Sequence, residues 1–342
     1  MTVSPTNIER GFDAASLRQV GTTIVGLRQF NRRVKVVIED AKASAIALAN
    51  KSRTTAVTVD HPIDIVNESA NDFRVRASFK RDIWGVPQPC YVEIYGLAPE
   101  RRRNYQRTKN LKITVLAGYD PPTAPGGQRR EPDAFIKVIG VLNAKQNNAK
   151  HDGPDWIMKF EGGDGARAYW GSRVNKSWAG GTPKAEIARE LLQGLGKLGA
   201  NAEKLLQQKG AGKTWKNGRV LNGRIAPHAA WILRELGLQH CIFNEEVILF
   251  PIDGTTQEVY EIGPDSGLVL SPEFSAPPHE GKPQLLKAKW LLTADSRPGA
   301  LILLRSEAHG GQYRCRNMEH KIDTEGGDFY VDTELQALKG AA

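Results

Sequence analysis

The chain has 342 residues, of which 40% are hydrophobic, with a formal net charge of +9 and a pI near 9.4. This length allows two or three domains with ordinary cores, and no window approaches the roughly 18 uninterrupted apolar residues of a membrane span. Charged residues interrupt residues 1–19, so we predict no secretory signal peptide and no membrane anchor, and a product made in the cytoplasm.

The three cysteines, Cys90, Cys241 and Cys315, lie far apart in the sequence, each within an apolar run. A disulfide framework or a zinc site places its cysteines at closer and more regular spacings. The pattern therefore predicts buried free thiols.

Residues 1–30 are mixed in character and are predicted to be an N-terminal arm. From Arg33 to about Ala144 the pattern is nearly all β. The alternation is clearest at Phe73–Lys80, where every second residue is apolar, as in a strand with one dry and one wet face. The predicted strands are Val34–Ile38, Ala56–Val59, Phe73–Lys80, Tyr91–Leu97, Leu111–Tyr119 and Phe135–Leu142.

Between these strands the sequence indicates turns and loops. A tight turn is predicted at Trp84–Pro87, and the basic stretch Arg101–Lys109 is interpreted as a connection. Pro121–Gly127 is predicted to be a surface loop because proline and glycine cannot continue a ladder there. The polar stretch Lys145–Gly153 is interpreted as a linker. The strands between them are typical of an antiparallel sheet or barrel.

Residues 151–262 are predicted to form a small α/β domain. A strand at Trp156–Phe160 is followed by a helix with Thr182 as its N-cap and Pro183 at its first position. The helix carries an apolar stripe, and glycines at 194, 196 and 199 should interrupt it, since each costs about 1 kcal/mol relative to alanine. The stripe of this first helix consists of Ile187, Leu191, Leu195, Leu198, Ala202 and Leu205. A second helix is predicted at Pro227–Leu236 and a strand at Val247–Phe250.

Residues 263–342 return to a β pattern, with a turn at Pro298–Gly299. The predicted strands are Leu286–Leu292, Ala300–Leu304, Tyr313–His320 and Phe329–Leu338. Two β regions therefore bracket one α/β insert.

The charge is distributed unevenly along the chain. The basic segment, residues 204–234, has seven lysines and arginines and no acidic residue. The acidic segment, residues 319–334, has six carboxylates and one lysine. Such asymmetry is typical of a nucleic-acid surface, but also of two faces that meet in an oligomer. A solvated basic face without a partner is a third interpretation.

Two glycine-rich stretches match nucleotide-binding sequence motifs, but the secondary structure or residues that those motifs require beside them are absent from the predicted elements. Gly194–Gly199 has the GxGxxG spacing, but the predicted helix precedes it, whereas the dinucleotide fingerprint follows a strand and opens a helix. Gly210–Thr214 ends like a phosphate-binding loop, yet Gln207 occupies the position of that motif's first glycine. We predict that neither segment binds a nucleotide.

No other residues form a constellation that carries chemistry. The seven histidines lack metal-ligand spacing, and His228, His240 and His320 are interpreted as structural residues. The seven tryptophans could stack on single-stranded nucleic acid, but most occupy positions suited to core packing. The sequence therefore assigns no catalytic, cofactor-binding or metal-binding residue and no cofactor.

Two series of short motifs follow one another along the chain. Before residue 170 the motifs are Phe73-Arg74-Val75, Tyr95-Gly96-Leu97, Ala117-Gly118-Tyr119, Phe135–Gly140, Gly153–Trp156 and Gly163-Asp164-Gly165. Near the C-terminus they are Arg297-Pro298-Gly299, Tyr313–Arg316, His320, Asp323 and Gly326–Tyr330. In this order they resemble the motifs of the baseplate hub proteins of tailed bacteriophages. The resemblance covers residues 30–338, and the order of the motifs carries it rather than any one of them.

The resemblance implies an α+β, mostly β fold in which two tail-tube-like antiparallel β-barrel domains bracket a small α/β insert domain. The implied domains are an N-terminal arm at 1–30, a first barrel domain at 31–150, the insert at 151–262 and a second tube-like β domain at 263–342.

It also implies a structural virion protein of the tail baseplate rather than an enzyme. Three copies would form a pseudo-hexameric ring that joins the sixfold tail tube to the threefold spike. Such a ring would enclose the channel for the tape measure protein and for DNA, which passes without specific binding. The expected partners are two further copies, the tail tube or distal tail protein, the central spike, the tape measure protein and other baseplate proteins.

Three other functions stay open. The chain could be another structural protein of the tail tip or tail tube, a nucleotide-binding enzyme, or a basic nucleic-acid-binding protein. Light scattering, which measures the assembled size, and a nucleotide-binding assay discriminate between them.

Overall fold

The computed structural model describes residues 32–40, 63–66, 73–119, 136–275 and 283–338. The predicted N-terminal arm, the strand Ala56–Val59 and the loop Pro121–Gly127 lie outside them. The described helices are α1 Pro99–Arg107, α2 Ala166–Gly171, α3 Lys184–Gln193, α4 Ala202–Gly210 and α5 Ile225–Glu235.

The strands account for about half of the described residues. They are β1 Arg32–Asp40, β2 Ile63–Val66, β3 Val75–Asp82, β4 Cys90–Tyr95, β5 Leu111–Tyr119, β6 Lys137–Asp152, β7 Asp155–Gly163, β8 Arg173–Trp178, β9 Lys197–Leu198, β10 Arg219–Arg224, β11 Leu238–Phe243, β12 Glu246–Pro251, β13 Val259–Ile262, β14 Glu273–Phe274, β15 Leu285–Leu291, β16 Leu301–Leu304, β17 Gly311–Asp323 and β18 Phe329–Ala337.

Both β regions contribute to one large sheet among the described residues. Its order is β14-β15-β18-β17-β3-β4-β7-β6-β5-β1-β2, with β16 paired to β17 and β13 to β16. Apart from the parallel β13–β16 pair, neighbours in this sheet are antiparallel. The two regions join where β17 pairs with β3, from Asn317 opposite Asp82 to Asp323 opposite Arg76. The mostly β fold is thus confirmed, and its division into two barrels stays a prediction.

The sheet core follows from the alternation of apolar residues. In β1 and β5 every second residue is buried, and the two strands pair along their whole length from Arg32–Tyr119 to Asp40–Leu111. Phe79, Phe160 and Trp290 are among the largest fully buried side chains. Burial of such side chains is the main stabilising contribution, at about 1.5–3 kcal/mol each.

The predicted linker Lys145–Gly153 is wrong. β6 continues to Asp152 and pairs with β7 down to Asp155, so these residues form a long hairpin that turns at Gly153 and Pro154. Gly153 has φ +60, a conformation that glycine adopts without steric cost. Beyond Ala144 the side chains of β6 are exposed or half-buried, which explains why a strand here has a linker-like composition.

The stretch interpreted as a connection, Arg101–Lys109, is mostly helix α1. This helix buries Arg102 and Tyr105 and exposes most of its other side chains, so it lacks an apolar stripe. The Tyr105 ring packs edge-on against Phe160 with ring centroids 5.7 Å apart.

The insert has a hydrophobic core of its own, formed by α3, α4, α5 and the strands that pack on them. The interruption by glycines is confirmed, because α3 ends at Gln193 and α4 begins at Ala202. Thr182 is not the N-cap: its hydroxyl donates to the Ala179 carbonyl, and the extended Pro183 precedes the first helical residue. Helix α5 matches the second predicted helix, and a left-handed Gly237 follows it.

Candidate functional site

A buried ion pair lies where the insert meets the large sheet. Arg81 of β3 and Asp164, in the loop after β7, are 3.1 Å apart, and their side chains are 2% and 4% exposed. Arg81 also donates to the Ile139 carbonyl at 3.0 Å and to the Asn244 side-chain oxygen at 2.8 Å. Its guanidinium lies 4.4 Å from the ring centroid of Phe243. Each charge is therefore compensated, as burial requires.

The same carboxylate holds the tip of the β11–β12 hairpin. Asp164 accepts the backbone N–H groups of Asn244 at 2.7 Å and Glu245 at 2.9 Å. These two residues have φ of +52 and +64, as in the two-residue turns that glycine and asparagine usually form. The Asp164 bonds thus support a turn whose second residue is unfavourable there. We call Arg81, Asp164, Asn244 and Glu245, with His320, the buried junction.

Glu245 ties the hairpin to the sheet a second time. Its carboxylate accepts from Lys112 at 2.6 Å and from Asn143 at 2.9 Å. Burial alone would raise the pKa of Glu245, but the hydrogen bonds from Lys112 and Asn143 bring it below its ordinary value. The carboxylate is therefore ionised at neutral pH and acts as an anchor.

His320 completes the junction as a neutral ring. Its Nδ1 accepts from Arg81 at 3.2 Å, so Nε2 carries the proton and donates to the Thr293 carbonyl at 3.2 Å. Burial, together with the Arg81 charge, lowers the pKa of His320 to about 3. The prediction of a satisfied structural histidine is confirmed here, and the ring is not poised for proton transfer at neutral pH.

His240 is buried as well, and burial lowers its pKa to about 4. Its Nε2 has no hydrogen-bond partner among the described residues. Gly85, in the predicted turn after β3, packs on it so closely that a Cβ would lie 2.6 Å from the His240 carbonyl oxygen. His228, which is partly exposed on α5, contacts the Asn222 carbonyl at 3.1 Å. These contacts give the two histidines packing roles.

The three cysteines are free and buried, as predicted. Burial raises the pKa of the Cys90 thiol to about 11 and that of Cys315 to about 12, and it raises the pKa of Cys241 further still. The thiolate is the nucleophilic form, so these groups are inert at neutral pH.

Each of the two glycine-rich stretches follows a helix rather than a strand, which does not fit a nucleotide-binding site. Helix α3 precedes Gly194, and a Cβ on Gly196 would lie 2.5 Å from the Glu245 carbonyl oxygen, so close packing accounts for this glycine. Helix α4 precedes Lys213, and the next element is strand β10 rather than a helix. A phosphate-binding loop instead follows a strand and opens a helix. The absence of nucleotide binding stays a prediction.

A small crevice lies beside the junction, lined in part by Asp82, Gly85 and Gln88, and its enclosed volume is about 10 Å³. That is room for about one water molecule, whereas small-molecule sites usually measure about 300–1,000 Å³. Among the described residues, no three of the side chains that bind metals come together in a cluster. None of the described helices has the length and apolar character to cross a bilayer.

The acidic segment is largely occupied by partners within the chain. Asp323 accepts from Arg74 at 2.8 and 3.1 Å, and Asp332 pairs with Lys321 at 2.9 Å. Burial would raise the pKa of Asp323, but hydrogen bonds from Arg74 and from two backbone N–H groups lower it. Glu325 is the exception, because its side chain is 60% exposed and lies 3.9 Å from Arg74. The segment is therefore not a free acidic surface.

The basic segment has the opposite character. All seven of its lysines and arginines are exposed, and none forms an ion pair with another described residue. Two of them lie on tryptophans instead: Arg219 is 5.4 Å from the Trp215 ring centroid, and Arg224 is 5.6 Å from that of Trp170. The seven are Lys204, Lys209, Lys213, Lys216, Arg219, Arg224 and Arg234.

The interpretation of most tryptophans as core residues is wrong. Trp178 and Trp290 are buried, at 8% and 1% exposure. Four others are exposed by more than a third: Trp84, Trp156, Trp170 and Trp231. They lie at a hairpin turn, near a hairpin tip or on helices, where one side of the element faces solvent.

Comparison with solved structures shows that the architecture is similar to that of two tail proteins, one of them from a prophage. The 43 kDa tail protein of prophage MuSo2 from Shewanella oneidensis is 6% identical, with a TM-score of 0.54 over 89% of this chain and 96% of that one. A tail protein from Neisseria meningitidis MC58 is 8% identical, with a TM-score of 0.53 over 90% of this chain and 97% of that one.

No protein-family profile matches the sequence, and no curated protein matches it either. At such low identity the likeness establishes a shared fold. The resemblance inferred from the order of the sequence motifs is thus confirmed at the level of the fold.

Proposed function

We propose that this chain is a structural protein of a bacteriophage tail and forms the baseplate hub at the tail tip. The observation that carries the proposal is a fold shared with a prophage tail protein and a second tail protein over about nine tenths of this chain and nearly all of theirs. Side chains of types that often serve in catalysis fit a structural role here. Burial raises the pKa of the Cys90 thiol to about 11, and the Asp164 carboxylate forms a buried ion pair with Arg81.

In this proposal three copies form a ring, and each contributes two tube-like β domains, residues 31–150 and 263–342. Six such domains match the sixfold tail tube on one side, while three copies match a threefold spike on the other. The insert, residues 151–262, faces other baseplate proteins. The channel holds the tape measure protein and later the DNA, and the chain resides in the virion.

The number of copies per particle tests the ring. Tails purified from the phage that encodes this chain are digested, and its peptides are quantified against those of the tape measure protein and the major tube protein. We expect three copies per tail and a threefold density at the tail tip by electron microscopy. Six copies at the tip, or many copies along the tube, would instead assign the chain to the tube and overturn the hub proposal.

A nucleotide-binding enzyme is the alternative from another class. Calorimetric titration of the purified chain with ATP and NAD separates the two, and we expect no binding. Binding that disappears in Lys213→Ala would contradict the expectation, because Lys213 is the residue that a phosphate loop would use. Lys209→Ala removes an equally exposed charge outside that stretch and is the matched control.

A further inference from the structure

Two tryptophans of the insert stack on each other at its surface. Trp215, before β10, and Trp231, on α5, have ring centroids 5.4 Å apart and planes 17° apart. Trp231 is 38% exposed and Trp215 is half-buried. Trp215 packs against the core of the insert, whereas Trp231 leaves more than a third of its large apolar surface in solvent, where tryptophan is uncommon.

Cations lie against both rings. The Arg219 guanidinium lies 5.4 Å from the centroid of Trp215 and 5.9 Å from that of Trp231, and Lys184 lies 5.6 Å from Trp215. Lys184 is neutralised by Glu235 at 2.7 Å, and that carboxylate also accepts from the Trp215 indole at 3.3 Å. Arg219 forms no ion pair with a described residue. We call these five residues the tryptophan cluster.

More uncompensated positive charge surrounds the cluster. Lys213 and Lys216 lie in the loop that contains Trp215, and both are exposed. Arg234 is three residues after Trp231 on α5, which places both on the same side of the helix. Glu235, the carboxylate of the cluster, is already engaged. The region therefore presents donors without acceptors.

We propose that the tryptophan cluster is a docking site for an acidic segment of a partner protein, with Arg219 as the carboxylate-binding residue. An arginine that already rests on aromatic rings loses little conformational freedom on binding, and its planar donors fit a carboxylate in two parallel hydrogen bonds. Tryptophan and arginine are also the residues most often found at the energetic centre of protein interfaces. The inference does not depend on the proposed tail role.

Charge complementarity selects a polyanion, and the ring geometry favours a protein over a nucleic acid. Single-stranded nucleic acid binds by stacking its bases on free aromatic faces. Here the two rings cover each other, and Arg219 and Lys184 lie against them, so a base would have to displace a cation. A carboxylate requires no such displacement, because it binds the outward N–H groups of the arginine.

The test measures binding of a fluorescent twelve-residue peptide of glutamate and leucine to the full chain by anisotropy at low salt. We expect Arg219→Gln and Trp231→Ala each to weaken binding about tenfold or more. Lys209→Gln removes an exposed charge of the same segment that contacts no tryptophan, and it should weaken binding less than about threefold. Melting curves and circular dichroism check the fold, and Trp231→Phe provides a milder variant.

Several results would overturn the proposal. Absence of peptide binding would do so, as would equal weakening by Lys209→Gln, which would indicate general electrostatic attraction. Tighter binding of an oligothymidylate of equal charge, lost in the same two variants, would assign the cluster to nucleic acid. Self-association of the chain that depends on Arg219, without peptide binding, would assign it to a second copy.

Discussion

Replacing one buried carboxylate should loosen the attachment of the insert hairpin. Asp164 uses two oxygens to accept from Arg81 and from the N–H groups of Asn244 and Glu245. In Asp164→Asn one oxygen becomes an amide donor that faces another donor, and the Arg81 charge loses its counterion. Breaking a buried pair in this way costs about 3–5 kcal/mol. Because Arg81 keeps its bonds to Ile139 and Asn244, we expect about 3 kcal/mol, a large fraction of ordinary stability.

The loss is measured as the free energy of unfolding in urea, followed by circular dichroism. Hydrogen exchange adds a local readout, since the amides of Asn244 and Glu245 should exchange faster in the variant. Asp295→Asn is the matched control. It removes the same charge from a pair with Lys137 whose side chains are 44% and 56% exposed, and it should cost less than about 1 kcal/mol.

Two results would refute the reasoning. The first is a loss in Asp164→Asn as small as that in Asp295→Asn. The second concerns the double variant Arg81→Met with Asp164→Asn, in which no charge is left unpaired. Its loss should be smaller than the sum of the two single losses, with a coupling of about 0.5–3 kcal/mol. Simple additivity would show that the two groups do not act as a pair.

Three further predictions concern pH, packing and the acidic segment. Burial lowers the pKa of His240 to about 4, so between pH 6.5 and pH 4 the unfolded chain binds a proton that the folded chain does not. The free energy of unfolding should therefore fall as the pH is lowered through this range, by about 1.4 kcal/mol per pH unit for this one histidine. Urea titrations at several pH values should show that His240→Leu removes this contribution. A Cβ at Gly140 would lie 2.3 Å from the buried ring of Phe79, so Gly140→Ala should lower the free energy of unfolding by about 1–3 kcal/mol. Gly171→Ala is the control, because its Cβ would point into open space, and it should cause no measurable loss in the same titrations. Asp323→Asn should lower the free energy of unfolding by about 2 kcal/mol, because it weakens the hydrogen bonds from Arg74. Glu325→Gln changes an exposed side chain and should leave that free energy unchanged. If Glu325→Gln is nevertheless incorporated less into tails, the carboxylate acts in assembly rather than in folding.

The sequence predicted well those elements that bury one complete face. The strand predicted at Leu111–Tyr119 has the same bounds in the structure, since every second residue of it is buried. The helix predicted at Pro227–Leu236 corresponds to α5, Ile225–Glu235, whose buried residues are all apolar. In both cases the hydrophobic period reports burial directly.

Elements that bury little were missed for the same reason. Helix α1 buries two residues, and the outer half of β6 buries none, so neither has a hydrophobic period. The pairing of β17 with β3 was also beyond the sequence, because strands that are distant in the chain give no local signal of their partners. The two β regions predicted from the sequence are therefore joined in one sheet by this pairing, which the alternation of apolar residues does not indicate.

The buried junction did leave a signal in the alternation. Val75, Ala77 and Phe79 mark the dry face of β3, and the next position on that face is Arg81. His320 likewise follows Met318 on the buried face of β17. A charged or polar residue on a dry face must find a partner, because an unpaired one costs about 1–3 kcal/mol or more. The rule predicts that partners exist, but the partner residues are far away in the sequence.

The location of those partners explains how the fold is held as one unit. Arg81 comes from the first β region, His320 from the last, and Asp164 and Asn244 lie in the insert. All three parts of the chain therefore share one set of hydrogen bonds, in addition to the apolar contacts around it. Apolar contacts alone accept small shifts of register, whereas donors and acceptors at about 3 Å do not. Exchange at the Asn244 amide should consequently respond to variants in each of the three parts, including His320→Leu, and an amide that responds to changes in the insert alone would show that the parts are held separately.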